Sequence, residues 1–481
     1  MTWKNVFLVI VISLAGVAGL FAQSPLAISV DTAHPGIAIA PNFSGLSFEI
    51  SQVLPGRNDV RYFSPGNKPL ISLFHTLGIK SLRVGGNTAD RNTGQLPARA
   101  DIDSLFAFAR VTGVKVIYCL RLHNGDPQQD AEVAKYIMDN YAAQLDCFSI
   151  GQEPNVYPRT TNSMGVVVPR PSYEDFKKKW KQFENIIVAR VPEAKFCGPS
   201  VDDNPLWPRN FMADFGLGNH VVLITTHLYP GRSGDKVPTP EIGRDQMLEG
   251  GFVQTYQKLY DGFVPEAISN DLPYRLEEVN NYFNGGATNV SDTFASALWG
   301  LDFMYWWASH SAAGVNFHTG DKVSAGAELR PSRYTAYFST TNGFLVRPLG
   351  YGIKAFDLGG HGRIVPATSS NPQNLNISVY SVLGDDGHLY VTIINKEHGV
   401  NARNANVSLA AAAAFDHGQI MSLTAPHGDV ASKTGMSLGG AVIETDGSWN
   451  GKWAELTRDG TGSFTFEIPA ASASVLRLSA D

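Results

Sequence analysis

The chain has 481 residues, 43% of them apolar, and a formal net charge of −6. That is enough material for a large buried core in one or two domains. The charge bias is small and no block of like charges occurs, so no nucleic-acid or anionic-membrane partner is expected and any substrate must be met in a local pocket.

At the N-terminus MTWKN places one lysine before the apolar run VFLVIVISLAGVAGLFA, which ends in small residues. Residues 1–22 therefore read as a secretory signal cleaved near Ala22, implying a secreted or periplasmic protein with no stable membrane association after cleavage. The alternative is an uncleaved anchor, although the run is at the short end of the roughly 17 to 25 residues that span a bilayer. Residues 23–40 contain the strand-like PLAISVDTAHPGIAIA.

From residue 41 to 345, short apolar runs alternate with helical patterns. The candidate strands are NFSGLSFEI, IKSLRVGG, VKVIYCLRL, LDCFSIGQE, AKFCGPSV, VVLITTHLY, PYRLEEVN and AGVNFHT. The clearest helix is SYEDFKKKWKQFENIIVARVP, where Ser172 and Asp175 suggest a capping box and Phe176, Trp180, Phe183 and Ile187 line one face. Eight such strands with helices between them predict an α/β fold, a (β/α)8 TIM barrel. The stretch FASALWGLDFMYWWASH fits a helix buried against that barrel, since Asp302 in its middle argues against a membrane span. From residue 346 to 481 the texture changes to short alternating segments such as LNISVYSVL, HLYVTIINK and SFTFEI, with turn signals such as Asp386-Gly387. This composition predicts a C-terminal β-sandwich domain, which the strand in residues 23–40 joins.

Cys119, Cys147 and Cys197 all fall in apolar strand-like segments, a pattern of buried free thiols rather than a disulfide framework or metal site. LRVGGN has neither the spacing nor the lysine of a phosphate loop. No cofactor and no metal are expected.

In a (β/α)8 barrel the chemistry sits at the C-terminal ends of the strands. Glu153 follows the fourth strand in IGQEPNVY, and a second acid, Glu277 or Glu278, follows the seventh. A plain surface charge at Glu153 would not need the tight loop that Pro154 and Asn155 impose. Two carboxyl groups at one barrel mouth are what glycoside hydrolysis needs: one protonates the leaving oxygen and the other attacks the anomeric carbon or activates water. Arg83 either pins the barrel floor or holds the second carboxylate ionised, His227 is a core histidine or a substrate ligand, and Tyr229 donates to the nucleophile or packs in the mouth.

The Xaa-Glu-Pro after strand four, His227-Xaa-Tyr229 at strand six and a glutamate after strand seven resemble the clan of retaining (β/α)8-barrel glycosidases. Within it, GLSFE (45–49), LRVGGNTAD (82–90) and RLEEVNNYFNGG (275–286) are similar to glycoside hydrolase family 79, the β-glucuronidase and heparanase family. The resemblance covers nearly the whole mature chain and implies a barrel with a C-terminal sandwich into which an N-terminal strand runs. It implies Glu153 as acid/base and Glu278 as nucleophile, because Arg-Xaa-Xaa-Glu-Xaa-Asn falls on Arg275, Glu278 and Asn280. Two departures stand out. Gln152 replaces the usual Asn before the acid, and HTGDKVSAG replaces the turn after strand eight that grips a uronate carboxylate.

The expected activity is that of a retaining exo-acting β-glucuronidase on a glucuronide-bearing glycan or glycoside. Supporting roles are expected for Arg83 and His227. Glu49, Asn87, Gln152, Tyr229 and Asn280 are candidate substrate ligands, and Lys322, Gly285 and Gly286 are candidates for the carboxylate, with Arg330, Arg333 and Tyr334 as alternatives. Rival readings are an endo-acting heparanase-like enzyme, another β-glycosidase of the clan, and a non-catalytic carbohydrate-binding protein.

Overall fold

A computed structural model describes residues 24–90, 94–157, 159–161, 167–325, 328–412 and 414–480. The signal-like segment 1–22 lies outside the described residues. Among them no helix is long and apolar enough to cross a membrane.

The eight expected strands form one closed parallel barrel, paired in chain order. They are β1 (Ser44–Glu49), β2 (Ser81–Gly85), β3 (Lys115–Leu120), β4 (Leu145–Ile150), β5 (Phe196–Asp202), β6 (Val221–Leu228), β7 (Tyr274–Val279) and β8 (Gly314–His318). β1, β2, β7 and β8 are buried along their whole length, polar and charged residues such as Glu49, Arg83, Arg275 and Asn316 included. Between β4 and β5 lies the helix Tyr173–Arg190, with the Ser172/Asp175 capping box in place and Phe176, Trp180, Phe183 and Ile187 buried.

β7 departs from simple pairing. Against β6, Leu276 faces Thr226 and Glu278 faces His227, so Glu277 is one residue too many; against β8 the register shifts in the same place. Such a bulge breaks the alternation of side chains along a strand. Two neighbouring glutamates therefore need not face opposite sides, as alternation alone predicts.

The C-terminal segment forms a seven-stranded sheet packed against a four-stranded one, around a core that includes Leu26, Ile28, Val391, Val407, Phe464 and Leu476. The N-terminal strand Leu26–Val30 lies inside the four-stranded sheet, antiparallel to Ala367–Ser370 and parallel to Ala405–Ala410. Between the barrel and these sheets sits the helix Pro348–Gly359, where sequence reading places sandwich. It packs on the barrel helix Phe294–Ser309, and its Phe356 ring stacks on Phe43 with centroids 5.2 Å apart. Asp302 in that barrel helix is bound by Lys396 and Tyr380 of the sandwich, both at 2.8 Å. The aromatic stretch is thus a buried barrel helix whose one acid fastens the sandwich. The three cysteines are buried and free.

Candidate active site

At the C-terminal mouth of the barrel a cavity of about 290 Å³ is lined by Asn87, Glu153, Val156, Arg170, Asp202, Tyr229, Glu278, Phe283, Asn284, His318, Ser324 and Tyr334. Both expected catalytic carboxylates face it. An oxygen of Glu153, a ring nitrogen of His227 and an oxygen of Glu278 all lie within 4.8 Å of one another.

Glu278 is brought into this cavity by β7 and is surrounded by donors. Its Oε2 accepts from Arg83 Nη1 at 2.5 Å and from Gln152 Nε2 at 3.1 Å, and its Oε1 accepts from Tyr229 Oη at 3.0 Å. His318 Nδ1 stands 3.9 Å from Oε2. Burial favours the neutral acid, yet His318, His227, Arg83 and the Tyr229 hydroxyl outweigh it and hold Glu278 well below the ordinary carboxylate range. Arg83 is completely buried and also donates to Gln152 Oε1. Its place is beside the carboxylate, which decides between the two roles open to it in the sequence.

Glu153 stands on a different support. Three residues past β4, it adopts φ 46° and ψ 56°, left-handed backbone immediately before Pro154. For a residue other than glycine this costs of the order of 1–3 kcal/mol and persists only where the surroundings enforce it. Here its N–H donates to Ser200 O at 2.8 Å. Asp90, buried at the end of the LRVGGNTAD motif, accepts from Gln152 N at 2.9 Å and from the Tyr157 hydroxyl, so the loop is pinned on both sides of Glu153. The Glu153 carboxylate meets His227 Nδ1 at 3.0 Å.

His227 is fully buried on β6. Burial alone would lower its pKa, but Glu278, Glu153 and Glu277 surround it and raise it to about 9. Its Nε2 faces Glu277 Oε1 at 3.6 Å. Glu277 pairs here, and not with Arg275, which is bound to Asn316 Oδ1 and to the carbonyls of Phe43, Asn42 and Ala313.

Several expected ligands are engaged elsewhere. Glu49 Oε2 accepts from Thr88 N and Oγ1, both at 2.8 Å, and its Oε1 from Ser324 N at 2.9 Å; it ties β1 to the segments that rim the cavity and does not line it. Gln152 is fully buried and donates to Glu278, which leaves it no free face toward a sugar hydroxyl. Asn280 donates to the carbonyls of His318 and Tyr334 at 3.0 and 3.3 Å and accepts from Asn281 N, so it locks the ends of β7 and β8 together. Gly285 and Gly286 take φ of 82° and 88° in the turn behind the wall; Asn284 beside them lines the cavity and they do not. Lys322 lies exposed on the hairpin Lys322–Ala325/Glu328–Pro331, outside the lining, because it is Ser324 of that hairpin that reaches the cavity. Arg330 pairs with Asp235 at 3.1 Å. Asn87, Tyr229 and, of the alternatives, Tyr334 are the expected ligands in the lining, and among the described residues Asn87 Oδ1 is buried without a hydrogen-bond partner.

His318, Arg170 and Asp202 are lining residues to which sequence reading assigned no role. His318 ends the eighth strand and Asp202 the fifth, so both positions at the catalytic end of the barrel were usable signals; Arg170 carried none.

Among the described residues two clusters have the chemistry of metal ligands: Glu153, His227 and Glu278 in the cavity, and Asp245, Glu249 and His398 at the surface. In the first, Arg83 already supplies the countercharge and donors fill both oxygens of Glu278. We assign no metal to either.

No family model matches the chain. Over 201 residues it is 26% identical to a β-glucuronidase of Aspergillus niger, a match that covers 38% of this chain and 35% of that protein. The chain thus spans about a third of the length of that relative. Among solved structures, a 4-O-α-L-rhamnosyl-β-D-glucuronidase from Fusarium oxysporum is similar over 94% of this chain and all of the other, with a TM-score of 0.71 and 17% identity. A family 51 arabinofuranosidase from Xanthomonas axonopodis is similar over 94% of this chain and 99% of its own, with a TM-score of 0.67 and 12% identity. The shared fold is the barrel with its sandwich. At these identities the fold is all the solved structures establish, and the same scaffold serves proteins named for two different sugars.

Proposed function

We propose that the protein is a retaining exo-β-glucuronidase, secreted or periplasmic, of the kind grouped in glycoside hydrolase family 79. The observation that carries this reading is the pair at the barrel mouth: oxygens of Glu153 and Glu278 within 4.8 Å, one carboxylate held ionised by Arg83 and the other set on a shaped loop. Retaining glycosidases hold their carboxyl groups about 5–5.5 Å apart, inverting ones about 6.5–9.5 Å apart to admit a water between them. The β-glucuronidase similarity supports the choice of sugar, and the compact cavity supports action on a terminal residue rather than along a polymer.

In the first step the Glu153 O–H proton passes to the glycosidic oxygen while Glu278 Oε attacks the anomeric carbon. The bond to the aglycone breaks, the alcohol leaves and a glycosyl ester forms on Glu278. The esterified Glu278 no longer bears a charge, and Glu153, now a carboxylate, takes a proton from water as that water attacks the same carbon. Sugar is released, Glu278 regains its charge and Glu153 its proton. Arg83 and Tyr229 stabilise Glu278 as leaving group in this second step. The cycle uses only side chains of this chain and water.

A panel of nitrophenyl glycosides tests the reading. Hydrolysis of the β-glucuronide supports it. Turnover of a neutral glycoside alone moves the enzyme elsewhere in the clan, and no turnover of any member favours the endo-acting or carbohydrate-binding alternatives.

A further inference from the structure

Glu277 has no place in the chemistry just described, yet its situation is costly. It is fully buried, and the groups that meet its carboxylate, the His227 ring at 3.6 Å and the Ser200 hydroxyl, make no ordinary hydrogen bond to it. A buried carboxylate without compensation costs several kcal/mol, so it is kept only where a cation answers it or it is neutral. The bulge in β7 is what turns it inward, placing it and Glu278 on the same side of the strand.

What it faces is the far nitrogen of the ring that faces the acid/base. Glu277 Oε1, His227 Nε2, His227 Nδ1 and Glu153 Oε1 form a line with gaps of 3.6 and 3.0 Å at its two ends. A neutral imidazole carries one N–H and can donate to one of these carboxylates; an imidazolium donates to both. On this geometry, and resting on the reading of Glu153 as acid/base, we propose that Glu277 is a positioning residue: a third, buried carboxylate that acts through His227 to keep a positive N–H pointed at Glu153.

The consequence follows from the reaction sequence. When Glu153 has given its proton to the leaving oxygen, the new carboxylate faces a cationic N–H and not a neutral one. That stabilises the ionised form needed for the second step. Glu277 is itself poised for this role: burial pushes its pKa up, but His227, Arg83 and Ser200 bring it below the ordinary range. Other titratable groups stand around the ring and its buried partner: Asp202 ends β5 in register with His227 and lines the cavity, and His318 of β8 stands 3.9 Å from Glu278 Oε2. From β7 there are Glu278, matched by Arg83, and Arg275, held by backbone carbonyls and Asn316. From β6 there is Tyr229, whose hydroxyl burial keeps protonated. From β3, β4 and β5 there are Cys119, Cys147 and Cys197, whose thiols burial keeps neutral.

The test reads the ring itself and the enzyme's pH profile. In wild-type protein, the side-chain ¹⁵N shifts of His227, assigned by their loss in His227→Gln, are expected to report an imidazolium that persists above pH 7.5. In Glu277→Gln, which keeps the volume and removes the charge, the midpoint should fall by roughly one pH unit or more. A wild-type ring that is neutral at pH 7, or an unchanged midpoint in the variant, overturns the proposal. This readout needs no substrate, so it stands apart from the choice of sugar. On the hydrolysed substrate, the alkaline limb of kcat/KM should move to higher pH in Glu277→Gln and stay near its wild-type position in Glu277→Asp. An alkaline limb unmoved in Glu277→Gln, with or without a lower rate, would likewise overturn the proposal.

Discussion

The two walls of the cavity hold carboxylates of the same kind in unlike company. On the β7 side Glu278 collects a guanidinium, an amide and a phenol, with the His318 ring 3.9 Å away. On the β4 side Glu153 stands on left-handed backbone, clamped through its neighbours by Asp90, against a ring that a second carboxylate backs. The first environment stabilises a permanent anion. The second fixes the place of a carboxyl group through its loop and one histidine ring. The proposed roles of acid and nucleophile are assigned from what surrounds two similar groups.

Substitutions can break this contrast in order of size. Glu278→Gln should reduce hydrolysis of every substrate to background. Glu277→Gln should retain turnover with an altered pH profile; the reverse ranking of the two, measured on folded protein, would exchange their roles. Glu153→Ala should cost roughly 10²–10⁴ in kcat on a substrate with a poor leaving group. With a dinitrophenyl glycoside, glycosylation should be spared and deglycosylation slowed, and added azide should restore the rate and give the β-glycosyl azide. A product of α configuration would contradict retention. Tyr229→Phe removes one hydrogen bond to a charged oxygen, about 1.5–3 kcal/mol, so kcat/KM should fall roughly ten- to a hundredfold.

The smallest expected effects separate the cavity from its surroundings. Lys322→Met should leave the ratio of glucuronide to glucoside hydrolysis unchanged, because Lys322 stands outside the lining; a selective loss on the glucuronide would return it to the site. A last consequence is thermal. The folded pKa of His227 is raised from 6.5 to about 9, so its interactions stabilise the fold fully below pH 6.5 and are lost as pH rises through about 9. Melting temperatures should therefore decline over that window, and Glu277→Gln should flatten the decline.

The barrel was legible because short strand-like segments with apolar residues such as KVIYCL and VVLITTHL recur between helical patterns. Glu153 was legible because the Glu-Pro-Asn loop follows such a run at a strand's catalytic end. What stayed hidden depends on register and on competition for hydrogen bonds. The extra residue in β7 leaves no mark in RLEEVNN, yet it decides that Glu277 faces His227. Glu49 and Asn280 have the chemistry of sugar ligands, but backbone and hydroxyl groups that no spacing announces already hold them. Lys322 follows the eighth strand as a carboxylate ligand should, and a hairpin carries it outside. Arg170 reaches the cavity from a loop with no periodic pattern at all.

The central proposed step is the bond between Glu278 Oε and the anomeric carbon, and one measurement addresses it directly. Incubation with an activated 2-deoxy-2-fluoro-β-glucuronide slows the second step, so the glycosyl-enzyme accumulates and can be digested and located by mass spectrometry. The account predicts one adduct, of a fluoroglucuronyl mass, on Glu278. Steady turnover of an ordinary glucuronide with no adduct from this reagent, or an adduct on Glu277 or Glu153, would contradict it.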